Sequence, residues 1–102
     1  MMIAYICSPY RAKNDEELTR NIEYAQELQR DALLKGYAPI VPHLSLTQSL
    51  DDNDPQERKI GIDAGLELLE ICDGILVGDR YGISEGMEAE IKKAEELGFM
   101  WR

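Results

Sequence analysis

The chain has 102 residues, which is enough for one domain over 1–102 and leaves no room for a second. Its formal charge of −9 argues against partners that carry the same sign, so nucleic-acid polymers and anionic membrane surfaces are excluded. An apolar share of 44% still allows a core to form, and a small phosphorylated ligand stays compatible, because a few backbone amides and one arginine can make a local positive pocket.

The first apolar run, Met2–Cys7, reads as a strand that stops at Ser8-Pro9-Tyr10-Arg11, because proline cannot donate to a ladder. This run is too short for a signal-peptide core and lacks a basic leader, no segment approaches membrane-spanning length, and Cys7 and Cys72 each sit inside apolar stretches as buried thiols do. A soluble, cytoplasmic protein is therefore expected. Asn14 caps the next element, with Asp15, Glu16 and Glu17 in its first turn. Leu18, Ile22, Ala25, Leu28 and Ala32 recur at helical spacing before Lys35-Gly36 ends the helix.

Ala38–Pro42 is a short second strand whose prolines suggest an edge. A polar loop runs from His43 to Asn53, with room for a helical turn around Leu44-Ser45-Leu46. Asp54-Pro55-Gln56-Glu57 then starts a helix, with cap, proline at the first position and a capping-box glutamate. Ile62, Leu66 and Leu69 form its apolar stripe, and Gly61 and Gly65 either weaken it or mark close packing. Asp73–Gly78 is the third strand. Ser84 caps a last helix carrying Met87, Ile91, Ala94 and Leu97, Gly98 closes it, and Phe99–Arg102 resembles a truncated fourth strand.

Strands alternating with helices imply an α/β fold: a small doubly wound, flavodoxin- or Rossmann-like four-stranded parallel sheet, order 2-1-3-4, with helices on both faces. Ligands of such sheets bind beyond the strands' carboxyl ends at the point where the order reverses, between strands one and three. That places a nucleotide-sized crevice between the loops Ser8–Lys13 and Asp79–Ser84. Both loops lead into helix N-termini, where unpaired amides favour anions.

The segment Ser84-Glu85-Gly86-Met87-Glu88-Ala89-Glu90 carries the most chemistry. Ser84 offers a hydroxyl, Gly86 lets a ligand approach the backbone, and the Glu90 side chain leans back toward the helix N-terminus and the crevice. Taken alone, Ser84 reads as a cap and Glu85, Glu88 and Glu90 as solvated carboxylates. Arg11 suits either a phosphate or a pair with Asp15, and Asp63 is spaced to pair with Lys59. Cys7 and His43 fall at the ends of adjacent strands, which makes a thiol–imidazole pair conceivable. A cysteine on a central strand is more often core, however, and a histidine after a proline more often lines a loop or meets a ligand's base. One histidine and scattered acids make no metal cluster, and no cofactor is expected. Tyr10 and Tyr81 lie in the two crevice loops, where either could stack on a base. Tyr37 reads as packing, and Trp101 as cover for an edge or a subunit contact.

Ser84-x-Gly86-x-x-x-Glu90, together with Tyr5-Ile6-Cys7 and Cys72-Asp73 before an apolar strand, resembles the nucleoside 2-deoxyribosyltransferase superfamily. That superfamily includes deoxynucleoside monophosphate N-glycosidases, and the likeness is nearest to its short bacterial and phage members. It implies that Glu90 attacks the anomeric carbon of a small nucleoside or nucleoside 5′-monophosphate, giving a covalent glycosyl-enzyme that water or a second base resolves. Tyr5 would orient Glu90. Ser84 and the amides at Gly86 and Met87 would hold a 5′-phosphate, with Arg11 and Ser8 of the first loop beside them, and His43 would join the ligand site. The family's assisting acid falls on Gly65, eight positions before Asp73, so Asp63 or Glu67 of the same helix would have to substitute. A non-catalytic module that binds a nucleotide or an ADP-ribose-like ligand is the alternative, and a purely structural subunit a third. A homodimer or higher homo-oligomer is expected, because a sheet this small leaves apolar surface uncovered and related enzymes complete their sites with a neighbouring subunit.

Overall fold

A computed structural model of the chain describes residues 1–99. Its elements are β1 (Ile3–Cys7), α1 (Asp15–Leu34), β2 (Ala38–Ile40), α2 (Pro42–Ser45), α3 (Pro55–Glu70), β3 (Gly74–Val77) and α4 (Glu85–Glu96). The strands form one parallel sheet in the order β2-β1-β3, with Tyr5 paired to Ile40 on one side and to Ile75 on the other. The sheet has three strands among the described residues, where four are expected from the sequence. Phe99 is not in a strand, and the rest of the expected fourth strand, Met100–Arg102, lies outside the described residues. Phe99 instead donates its N–H to the Ala94 carbonyl, which closes the end of α4.

Alternation along β1 builds a core on each face of the sheet. Tyr5 and Cys7 point to one side and pack with Leu69, Cys72, Ile75, Met87 and Ala94, under α3 and α4. Ile6 points to the other and packs with Ala25, Ala32 and Val41, under α1 and α2. The Asp73 side chain fixes the β1–β3 register: its Oδ2 accepts the Ile3 N–H at 2.7 Å, while its own N–H donates to the Ile3 carbonyl at 2.7 Å. That gives the aspartate at the entry to β3 a structural reason.

The helix starts follow their capping residues. Asn14 Oδ1 accepts the Glu17 N–H at 2.8 Å, and Asp54 Oδ1 accepts the Gln56 N–H at 2.9 Å. At α4, Ser84 Oγ accepts the Met87 N–H at 3.2 Å, and the Ser84 N–H donates to the Met87 sulfur at 3.5 Å. The short α2 starts at Pro42, slightly ahead of the turn expected around Leu44–Leu46. None of the described helices is long and apolar enough to cross a membrane.

Candidate functional site

Beyond the carboxyl ends of β1 and β3 the chain leaves a cavity of about 470 Å³, within the range that encloses a small organic ligand. Tyr5, Gly65 and Glu90 line it, as do Ser84, Gly86 and Met87 at the start of α4 and Ser8, Tyr10 and Arg11 from the loop after β1. His43 and Leu46 line it from α2 and the turn after it, Asp52 from the loop before α3, and Arg58 from the first turn of α3. The expected site residues thus converge on one cavity, apart from Asp63, Glu67 and Tyr81.

Tyr5 and Glu90 are brought together by the packing of β1 beneath α4. The Tyr5 ring is buried in the core, and its hydroxyl lies within hydrogen-bonding reach of the Glu90 carboxyl. Glu90 Oε2 is buried with no hydrogen-bond partner. Loss of water, only partly offset by the Tyr5 hydrogen bond, pushes the Glu90 carboxyl up to about 7. The same burial, together with the nearby Glu90 charge, raises the Tyr5 hydroxyl and the Cys7 thiol well above their ordinary values. A thiol so disposed is a poor nucleophile, and its Sγ points to the Met87 carbonyl at 3.8 Å, as a core cysteine's would. The thiol–imidazole option therefore loses its physical basis.

A second orphaned polar atom faces the same space. Ser8 Oγ is fully buried, has no partner and belongs to the cavity lining. Buried polar atoms without partners are rare, and a ligand that completes their hydrogen bonds is one physical reason to keep them. His43 lies within hydrogen-bonding reach of the Ser8 backbone and stacks on Tyr10, with ring centroids 5.3 Å apart and planes at 22°. Burial lowers the His43 pKa, so its ring is neutral at pH 7 and, with Tyr10, forms an uncharged aromatic wall. Among the described residues no group of three or more His, Cys, Asp or Glu is placed to hold a metal ion.

Several expectations change. Asp63 is exposed and pairs with Lys59 Nζ at 2.8 Å outside the cavity lining, because a two-residue step along a helix turns a side chain to roughly the opposite face from Gly65. Glu67 is likewise outside the lining. Tyr81 does not reach the crevice. Its ring meets Tyr24 edge-on at 5.2 Å and carries the Arg20 guanidinium at 4.0 Å, so its loop is held against α1. The Met87 amide is committed to capping, which leaves the Ser84 hydroxyl hydrogen and the Glu85 and Gly86 amides as donors at the start of α4. Arg11 lines the cavity and forms no ion pair with Asp15 among the described residues.

Leu46, Thr47, Leu50, Asp52, Glu57 and Arg58 belong to the lining but were not singled out from the sequence. Leu46, Thr47, Leu50 and Asp52 come from a polar loop without periodicity, and Glu57 and Arg58 from the first turn of α3, where the sequence offers Glu57 only as a capping-box residue. Arg58 Nε sits 3.9 Å from Asp52 Oδ1, and Glu57 Oε1 accepts the Asp51 N–H at 3.2 Å, so this wall is tied internally.

With three parallel strands among the described residues and a cavity at the strand-order reversal, the unit is a small Rossmann-like α/β fold. The chain belongs to the family described as a domain of unknown function, DUF7768, which it matches over residues 2–102. No curated protein matches it. Among solved structures it is similar to a 2-deoxyribosyltransferase from the psychrotolerant bacterium Bacillus psychrosaccharolyticus, at a TM-score of 0.66 and 22% identity. The match covers 97% of this chain and 69% of that one, and it establishes a shared fold.

Proposed function

We propose that the chain cleaves the N-glycosidic bond of a small nucleoside or nucleoside 5′-monophosphate, as an N-glycosidase or deoxyribosyltransferase, with Glu90 as nucleophile. The observation that carries this reading is the Glu90 carboxyl itself. It stands at the cavity wall, within hydrogen-bonding reach of Tyr5, with one oxygen buried and unpartnered. In the reaction a Glu90 oxygen bonds to the anomeric carbon as the carbon–nitrogen bond breaks. The base leaves with the bonding electron pair and takes a proton from water. A second water, or another base, then attacks the anomeric carbon and frees Glu90, so the configuration is retained. Tyr10 and His43 offer an aromatic wall for the base. Ser8, Arg11, Ser84 and Gly86 offer hydroxyls, a guanidinium and an amide for the sugar and its 5′ substituent.

The nucleophile has to be ionised. With the carboxyl near 7, turnover rises with pH through about pH 7 on the acidic side of its profile. A general acid at this position would give the opposite slope. The direct test incubates the protein with a panel of nucleosides and deoxynucleoside monophosphates, with and without an acceptor base, and separates products by chromatography. Base release that disappears in Glu90→Ala supports the reading, and release that persists in the variant sinks it.

The bare position at Gly65 favours a second reading, a module that binds such ligands without cleaving them, because no acid from α3 stands there to assist the leaving base. Calorimetric binding of a nucleoside with no base released over long incubation would decide for it.

A further inference from the structure

Two glycines of α3, Gly61 and Gly65, lie one helical turn apart on the side that lines the cavity, and the two are not equivalent. A Cβ added at Gly61 would meet only the end of the Leu50 side chain, at 3.3 Å. A Cβ at Gly65 would meet the Tyr5 hydroxyl oxygen at 3.1 Å. Leu50 can rotate away, but the Tyr5 ring is locked among Leu69, Cys72, Ile75 and Met87 and has no such freedom. Its hydroxyl stands between the backbone of α3 and the Glu90 carboxyl on α4.

We infer that Gly65 is a positioning residue, whose missing side chain leaves the seat in which the Tyr5 hydroxyl meets Glu90. The glycine is then a requirement of this version of the site as well as the loss of an acid. A methyl there forces the hydroxyl to give by a few tenths of an ångström and a larger side chain by more, which weakens its contact with the Glu90 carboxylate. The positioning role stands on the geometry alone. Only its catalytic consequence rests on the reading of Glu90 as nucleophile.

The other ionisable groups around Glu90 stay as they are when position 65 changes. Cys7 faces it from β1, while His43 of α2, Glu57 and Arg58 of α3, Glu85 of α4, and Arg11 and Asp52 from loops stand along the cavity wall. The Tyr5 hydrogen bond is the influence that holds the Glu90 carboxyl down against burial, so its loss moves the titration upward.

The test follows Glu90 directly, by carbon NMR of the full chain labelled at glutamate side-chain carboxyls, with Glu90→Gln identifying the signal. The wild-type signal should titrate near pH 7. Gly65→Ala should move its midpoint upward and Gly65→Val further, toward that of Tyr5→Phe, and Gly65→Ala added to Tyr5→Phe should move it no more. Gly61→Ala should leave it in place. A Gly65→Ala or Gly65→Val signal that titrates like wild type overturns the inference, whatever the activity assays show. Absent activity with the shift present sinks the glycosidase reading and leaves the positioning role standing. Should Gly65→Ala fail to fold, Tyr5→Phe should restore folding, since the atom the new methyl meets is the hydroxyl oxygen. An unfolded double variant also overturns the inference.

Discussion

Glu27 and Glu90 are both helical glutamates beside a tyrosine, yet their surroundings drive their acidities in opposite directions. Glu27 lies on the exposed side of α1, where both its oxygens take hydrogen bonds from Arg80 at 2.9 Å, and Arg80 in turn lies 4.5 Å over the Tyr24 ring. The guanidinium holds the Glu27 carboxyl below its ordinary value. Glu90 has lost water without gaining a cation, so it is pushed up to about 7, and its Oε2 is left with no partner. Surface charges find partners easily and add little to stability, whereas a buried carboxylate without a partner destabilises the fold and is kept where a ligand needs it. The contrast points to the cavity, and not to the more conspicuous cluster of arginines and tyrosines around Arg80, as the working part of the molecule.

The sharpest way to break that contrast is to neutralise each glutamate in turn. Glu90→Gln keeps the shape and an acceptor for Tyr5 but removes the proposed nucleophile. Base release should fall by about 10³-fold or more, read as kcat from single-turnover chromatography. A residual rate within tenfold of wild type would return Glu90 to a structural role.

The same variant should affect stability with a defined pH dependence. Because the folded chain raises the Glu90 pKa from near 4.5 to about 7, the folded state holds an extra proton between those values. The contribution is complete below about pH 4.5 and is lost as the pH rises through about 7, the reverse of a salt-bridged carboxylate. Comparing urea unfolding near pH 4 and near pH 8, the wild type should lose up to about 3 kcal/mol relative to Glu90→Gln. A pH-independent difference would mean that Glu90 is hydrated in the free protein.

How far the sequence foretold this arrangement depends on the kind of signal. Caps and breakers act through neighbouring residues, so Asn14, Asp54-Pro55, Ser84 and the stop at Ser8-Pro9 mark their boundaries unaided. Alternation along Ala4–Cys7 leaves open which helix covers which face. The stripe expected on α3 does face inward, with Leu69 fully buried and Ile62 and Leu66 lining the cavity, although Ile62 stays 44% exposed because it faces open cavity space. Glycines add nothing to an apolar stripe, so the part Gly61 and Gly65 play in the same wall does not show in the pattern. Tyr81 was misplaced because its partners, Arg20 and Tyr24, are far off in sequence, and Gly78 lets α1 come close. A Cβ at Gly78 would stand 2.8 Å from the Tyr24 hydroxyl. The likeness to a nucleoside-processing family brought Glu90 forward, since spacing alone gives a solvated helix carboxylate.

Gly86 gives a gentler probe of the same cavity. A Cβ added there meets nothing within 4 Å, so the protein itself leaves that space open at the start of α4. Gly86→Val should therefore fold with a melting temperature close to wild type. Nucleoside binding, measured by calorimetry, should weaken by roughly 10- to 100-fold if a ligand approaches that backbone. Unchanged affinity would move the ligand toward Tyr10 and His43, away from α4.

The smallest effect belongs to the other half of the comparison. Glu27→Gln removes the exposed partner of Arg80 while leaving the cation over the Tyr24 ring and its backbone N–H on the Tyr24 hydroxyl at 3.2 Å. The loop after β3 keeps these contacts, so the melting temperature should change little, and salt should erase the change by screening the ion pair. Base release should match wild type, because Glu27 is not part of the cavity lining. A Glu27→Gln protein that folds normally but loses turnover would show that the α1 cluster positions Ser84 through the Arg80–Ile83 loop. The two glutamates would then belong to one coupled system.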